Sequence, residues 1–388
     1  MTVKVSGPVP LKAALDLYSQ EDVRKGSNLD LSLRLADHEP VICQRGFRII
    51  QGKRIVCSGL WGRTPVVVKL YFDPGKALHH QQKSLSGATA FLDNKLPAPQ
   101  VLYSGKIPQE PVYIILFEYL ADSLRLDTAL ARATDTQARL ELKKRLIACV
   151  SAHHRQGIVQ ADPHPGNFLV QNTTLFSLDG DQVRSFPGPV PLRRSLKSLA
   201  GFLAFFPPAE DQEIPMHVNH YCRLRHAPCS KALPGTVAKW TKRLRHKRLK
   251  QYLRKIYRNR DPFVLEKSRK RVCVYDRRLW RRELQPIQDN PGSFFPPAES
   301  TVKAQQVVLS TAAGAVLLQK GKASPFFFFR KKGDLAREWE NAHRQSRLGE
   351  QAHRPIMLLS EKTGVFGLCR YLVSECPASE SRPPGPVL

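Results

Sequence analysis

From Phe47 the apolar positions come in short β-branched clusters. The stretch FRIIQGKRIVCSGLWGRTPVVVKLYF is broken by Gly52, Gly59, Gly62 and Pro65, which predicts consecutive antiparallel strands joined by tight turns. ALHHQQKSLSGATAFLDNKL then predicts a helix, ended by the prolines of PAP at 97–99, because the residue before a proline is driven out of the helical region. QVLYSGK and VYIILFEYL predict two more strands. After Leu120 the period becomes helical: TDTQARLELKKRLIACVSAHHRQG puts Leu142, Leu146, Ile147 and Val150 on one face, with Gly157 as a stop. NFLV and LFSLD predict short strands around a turn, and VPLRRSLKSLAGFLAFF another helix. The order predicts an α+β, bilobal fold over 45–230: a small antiparallel-sheet lobe at about 45–120 and a helical lobe at about 121–230, with a cleft where polar loops meet.

Outside this domain the pattern is weaker. Residues 1–44 are polar and read as a lead-in. Residues 231–290 read as a basic helical segment, with a helix expected over Lys239–Arg260. Gly292–Pro297 reads as a linker, and 377–388, PASESRPPGPVL, as a disordered tail. The pattern over 88–120 is echoed over 340–376: helix, break, strand, turn, strand, with Glu118 and Glu375 near the two ends. That echo raises the possibility that 291–376 is a degenerate second small lobe.

Composition changes the picture in one respect. The 388 residues carry a formal net charge of +28, and between Lys239 and Arg282 there are 19 Lys/Arg against Asp261, Glu266 and Asp276, so 44 residues hold +16 of it. A local cationic run predicts an anionic partner, with an anionic membrane surface favoured over a merely solvated face and over nucleic acid, for which no recognition motif is present. The eight cysteines show no paired C-x-x-C spacing and read as reduced cytosolic thiols. His217, His220, Cys222, His226 and Cys229 cluster without the spacing of a common zinc site. The N-terminus has no apolar core of a secretory signal, and no apolar run approaches the length needed to span a bilayer.

The chemistry lies in GIVQADPHPGNFLVQNTTLFSLDGDQ, residues 157–182. Phosphoryl transfer from ATP needs a cation on the phosphates, oxygen ligands for Mg²⁺, and a carboxylate to orient the acceptor hydroxyl. Lys69 ends VVVK, a strand position like the V-A-I-K lysine. Asp162 and Asn167 have the spacing of H-R-D-x-x-x-x-N, and Asp179 follows the apolar strand LFSL where D-F-G stands in kinases. Asp162 is therefore the candidate catalytic residue, Asn167 and Asp179 the candidate Mg²⁺ ligands, and Lys69, Gly59, Gly62, Glu118 and His164 the candidate ATP contacts.

VVVKLYF, LPAPQVLYSG, QADPHPGNFLV and SLDGDQVR together resemble the bacterial lipopolysaccharide core (heptose and Kdo) kinases, a family with a protein-kinase-like fold, over roughly 45–225. LDGDQVR fits the family form in place of D-F-G, with Asp179 as metal ligand and Asp181 as a second acid. The resemblance implies ATP- and Mg²⁺-dependent phosphorylation of a sugar hydroxyl of the lipopolysaccharide core, by a cytoplasmic protein peripheral to the inner face of the inner membrane. The chain departs from the pattern in three places. No Glu lies between residues 74 and 109, so Ser84 stands where a helix acid should pair with Lys69; there is no G-x-G-x-x-G; and Gln160 replaces the loop histidine. These departures leave open a catalytically weak pseudokinase or binding module at the membrane surface. ADPHPGN also resembles the atypical kinases of ubiquinone biosynthesis, which implies the same fold.

Overall fold

The structure, a computed structural model, describes residues 11–19, 23, 28–36, 38–295, 304–311, 314–323, 334–350, 353–363 and 367–376. The expected tail at 377–388 lies outside the described residues. The chain divides into two compact units, one of residues 1–206 with 212–241 and one of 207–211 with 242–388.

The first unit opens with a short helix α1 (Leu11–Asp16) and strand β1 (Asn28–Leu33). Then come β2 (Val41–Ile50), β3 (Arg54–Trp61), β4 (Thr64–Tyr71), helix α2 (Ala77–Asp93), β5 (Val101–Lys106) and β6 (Tyr113–Glu118). The six strands form one antiparallel sheet in the order β1-β2-β3-β4-β6-β5. The lead-in is therefore not loose throughout: Leu29, Leu31 and Leu33 bury the alternate side chains of an edge strand, a period-two signal too short to stand out in a polar segment.

Alternation along β4 decides where its lysine goes. Val66, Val68 and Leu70 enter the core with Leu29, Val41 and Leu116. Val67 and Tyr71 face the other way, into a cluster with Ala77, Ala88, Ile115 and Phe117, so Lys69 shares the face that α2 covers.

The helical part of the unit follows with β7 (Leu124–Arg125), α3 (Leu126–Arg132) and α4 (Thr136–Arg155). Asp135 caps α4 by accepting the Ala138 amide at 2.8 Å, as its side-chain oxygen suits an N-terminal position. β8 (Ile158–Gln160), β9 (Phe168–Gln171), β10 (Thr174–Ser177) and β11 (Val183–Ser185) form two small antiparallel sheets, β10-β9-β7 and β11-β8. Helices α5 (Leu192–Leu203) and α6 (Ile214–Leu224) complete it. Helix α7 (Leu233–Leu253) begins in the first unit and ends in the second.

The basic run is not helical to Arg260. Beyond Leu253 it becomes a hairpin of β12 (Phe263–Lys267) and β13 (Arg271–Asp276). Pro262 cannot donate to a helix, and Phe263, Cys273 and Val274 bury their side chains. Helix α8 (Gln285–Asp289), β14 (Ala304–Thr311), β15 (Gly314–Ala323), α9 (Asp334–Leu348), β16 (Pro355–Thr363) and β17 (Gly367–Glu375) follow. The expected linker at Gly292–Pro297 is a short helical turn over Pro291–Phe294, and Phe295 is buried in the core with Tyr371 and Val373. Residues 296 and 297 lie outside the described residues.

The second sheet runs β12-β13-β16-β17-β15-β14. Its run β14-β15-β17-β16, with α9 between β15 and β16, has the connectivity of β3-β4-β6-β5 with α2 between β4 and β5. Register agrees too. The hairpin closures are Trp61–Thr64 and Thr311–Gly314, and five residues after Thr64 and Gly314 stand Lys69 and Gln319. Lys69 pairs with Ile115 of β6, and Gln319 with Leu372 of β17.

Candidate active site

Four of the candidate residues sit on neighbouring elements of the first unit. Asp162 follows β8, whose pairing with β11 continues into the loop through Ala161 N–H donating to the Gln182 carbonyl at 2.7 Å. Asn167 ends the single helical turn Pro165–Asn167, and its Nδ2 donates to the Asp162 carbonyl at 3.0 Å. The Asn167 carbonyl in turn accepts the Leu178 amide at 2.7 Å, so the loop bearing Asp162 and Asn167 is tied to the segment bearing Asp179. Asp162 itself is exposed.

Asp179 has φ +61°, a left-handed conformation that Asp adopts more readily than most residues. It lies 3.9 Å, Oδ1 to Nζ, from Lys69. Lys69 Nζ is 3.5 Å from Ser84 Oγ on α2 and 5.1 Å from the centre of the Phe117 ring. Thus Lys69 and Asp179 meet, Asp162 and Asn167 meet, and the Asn167–Leu178 bond joins the two pairs.

The loop after Asp179 is pressed onto α2. A Cβ at Gly87 would overlap the Gly180 carbonyl, so two glycines let the backbones of helix and loop touch. Next in the loop, Asp181 forms an ion pair with Arg54, the first residue of β3. Burial pushes the Asp181 carboxyl up, but Lys69, then Arg54, and hydrogen bonds from Ser84 and Arg54 outweigh it and hold the group below its ordinary range. Asp179 Oδ1 and Asp181 Oδ1 are both buried without a hydrogen-bond partner. Sequence reasoning missed Arg54 altogether; its only signal was its place directly after the β2–β3 turn.

The other candidate ATP contacts are placed differently. Gly62 forms the β3–β4 turn with φ +57°, and Gly59 lies within β3, where a Cβ would be 2.5 Å from the Ile42 carbonyl oxygen. That turn is five residues from Lys69, about 17 Å along the strand. The turn at the Lys69 end is the other one, Gln51–Lys53, with Gly52 at φ +70°. Gly59 and Gly62 thus serve sheet geometry, and Gly52 is the glycine near the lysine. Glu118 ends β6 and accepts the Gln100 amide at 3.2 Å. His164 works within its own loop: Nδ1 accepts the Gly166 amide at 2.8 Å, and the ring packs edge-on against Phe205.

The histidine and cysteine cluster does not converge. His217 Nε2 is 3.1 Å from Glu213 Oε2, which Lys143 Nζ approaches to 2.6 Å, while Cys229 donates to Asn219. Among the described residues no group of three or more His, Cys, Asp and Glu could hold a metal ion, so the candidate metal pair is one amide and one carboxylate. A cavity of about 400 Å³ lies in the second unit beside α9, lined among others by Gln319, Glu338, Asn341 and His353; none of the candidate site residues lines it. Among the described residues no helix is long and apolar enough to cross a membrane.

No family model and no curated protein matches the chain. Among solved structures it is similar to the kinase domain of PknI from Mycobacterium tuberculosis. That match has 11% identity and a TM-score of 0.34, and covers 56% of this chain and 100% of that one.

Proposed function

We propose that the protein is an ATP- and Mg²⁺-dependent phosphotransferase of protein-kinase-like, bilobal architecture, acting on a sugar hydroxyl of the lipopolysaccharide core. The observation that carries the reading is the meeting of Lys69 Nζ and Asp179 Oδ1 at 3.9 Å, with Asp162 and Asn167 tied to the same segment. A lysine in a sheet and three oxygen-bearing side chains on adjoining loops are the parts that phosphoryl transfer requires.

The residues fit the cofactor they imply. Asn167 spends its amide N–H on the Asp162 carbonyl, which leaves Oδ1 to face a cation. Asp179 Oδ1 is buried and lacks a hydrogen-bond donor. Mg²⁺ is commonly held by one or two such oxygens together with substrate phosphates. Lys69 and Arg54 supply positive charge for the phosphates. Asp162 orients the acceptor hydroxyl and takes its proton. Bound MgATP supplies the phosphoryl group, and ADP leaves.

The acceptor rests on the sequence resemblance over 45–225 and on the cationic run Lys239–Arg282, which suits a phosphorylated glycolipid in an anionic bilayer. The inner membrane's cytoplasmic face is the place that acceptor implies. A second reading, a nucleotide-binding module with little turnover, is favoured by one observation: α2 offers Lys69 a serine hydroxyl where an acid was expected.

Steady-state ATP turnover with Asp162→Ala tests the proposal. Turnover should fall about 10²- to 10⁴-fold, the range of a lost general base, while ATP affinity stays near the wild-type value. Wild-type turnover by this variant contradicts the assignment of Asp162. ATP binding without turnover in the wild type favours the second reading.

A further inference from the structure

Alternation along β15 sends Val316 and Leu318 into one core of the second sheet, so Leu317, Gln319 and Gly321 face the other way. That face is the one α9 covers. A Cβ on Gly321 would lie 3.3 Å from Leu335 of α9, and Leu372 of β17 packs with Leu335 and Trp339. Along the flank of α9 that carries Asp334, Glu338, Asn341 and Gln345 lies the cavity of about 400 Å³, within the range of about 300–1,000 Å³ usual for small-molecule sites.

The sheet side of the cavity alternates polar and apolar side chains. Gln319 pairs across the strands with Leu372, and Ser374 with Leu317. Gln319 is 6% exposed and Ser374 3% exposed, and both line the cavity. Neither makes a side-chain hydrogen bond among the described residues, although buried amides and hydroxyls are rarely left without a partner.

The lining selects among ligands. Among the described residues no group of His, Cys, Asp and Glu suits a metal ion. A phosphate would meet Asp334 and Glu338, with Arg337 to offset them. An oligoamine would have to approach a chain of net charge +28, and would leave the amide N–H groups unused. A sugar hydroxyl both donates and accepts, as do the amides of Gln319, Asn341 and Gln345 and the hydroxyl of Ser374. Carboxylates accept from further hydroxyls, and Leu317 and Leu372 suit the C–H face of a ring.

We propose that this cavity is a saccharide-binding site of the second unit, taking an uncharged sugar ring through Gln319, Ser374 and Asn341, with Asp334 and Glu338 accepting from its other hydroxyls. The frame of a helix over a sheet is that of the first unit, with an amide at the register of Lys69. The cavity's chemistry stands apart from the phosphotransferase reading; the choice of lipopolysaccharide core as the saccharide to test rests on that reading.

The test is nuclear magnetic resonance of the full, isotope-labelled chain, following the side-chain amides of Gln319 and Asn341. Each is assigned by its loss in Gln319→Leu or Asn341→Ala. Core oligosaccharide stripped of phosphate should shift both amides saturably, while spermidine and MgATP at the same concentration should not. Each variant should weaken the oligosaccharide about tenfold, the scale of one lost hydrogen bond to a buried site, read from the remaining amide. Asn341 is exposed on α9, so its variant carries the test where Gln319→Leu melts too low. Asp162→Ala should leave the shifts unchanged. Oligosaccharide that shifts neither amide, a larger shift with spermidine or MgATP, or unchanged affinity in both variants overturns the inference. The phosphotransferase reading fails by a separate result, the absence of label transfer from γ-labelled ATP to the saccharide.

Discussion

His153 and His154, at the end of α4, link single-residue burial to solution behaviour. His153 Nε2 lies 2.8 Å from Ser177 Oγ and His154 Nδ1 lies 2.7 Å from Tyr221 Oη. Burial brings the His153 pKa down to about 4, and burial, then His153 and Arg225, hold His154 well below its ordinary value. Both rings are neutral in the fold and charge readily once unfolded. A folded pKa below the unfolded one means that the unfolded chain binds more protons between about 4 and 6.5, so stability is full above 6.5 and falls with pH through that window. Each group contributes a slope of up to about 1.4 kcal/mol per pH unit there. The urea midpoint should therefore drop between pH 7 and pH 5; a midpoint that is level or rises contradicts the neutral, buried placement. In the sequence these histidines were only two polar residues on the last turn of a helix.

At the scale of elements, contact between α2 and the Asp179–Asp181 loop is the feature on which the site depends. Gly87→Ala places a methyl against the Gly180 carbonyl, and neither backbone can yield cheaply. The variant should lose ATP affinity and melt lower. Gly235→Ala in α7, where nothing lies within 4 Å, should be neutral or stabilising by up to about 1 kcal/mol. Equal behaviour of the two variants would contradict the packing. Helix α7 gives a second expectation. Lys239, Lys242, Arg243, His246, Lys247 and Lys250 are exposed on it, and residues 231–260 contain no acid, so like charges sit at i,i+4 spacing and oppose the helix. Arg243→Glu should stabilise the protein by a few tenths of a kcal/mol through Lys239 and Lys247, yet reduce sedimentation with anionic vesicles at low salt. Unchanged vesicle binding would argue against this face as the membrane-docking surface. What was legible at this scale follows from locality. The strand and helix periods around Lys69, Asp162 and Asp179 are written in consecutive residues, and so is the Asp162–Asn167 spacing. The Arg54–Asp181 pair joins positions 127 residues apart in the chain, and no local pattern announces it. The β12–β13 hairpin was obscured because its short apolar alternation lies inside the cationic run.

On the scale of the whole molecule, two sheets share a connectivity but differ in chemistry. Gln319 stands at the register of Lys69, and a neutral amide offers no charge to a triphosphate, so titration should find one ATP per chain; two equivalent sites would contradict that difference. The charge is also divided, since the cationic run begins within α7 and continues through the second unit. The proposed nucleotide site lies in one unit, and the surface proposed to meet a membrane-borne acceptor lies on α7 and in the other. The central claim is phosphoryl transfer to that acceptor, and γ-labelled ATP incubated with lipopolysaccharide core stripped of phosphate tests it most directly. The account predicts Mg²⁺-dependent label in the saccharide with the wild-type chain and none with Asp162→Ala. Label released only as inorganic phosphate, or saccharide labelled equally by both proteins, would contradict it.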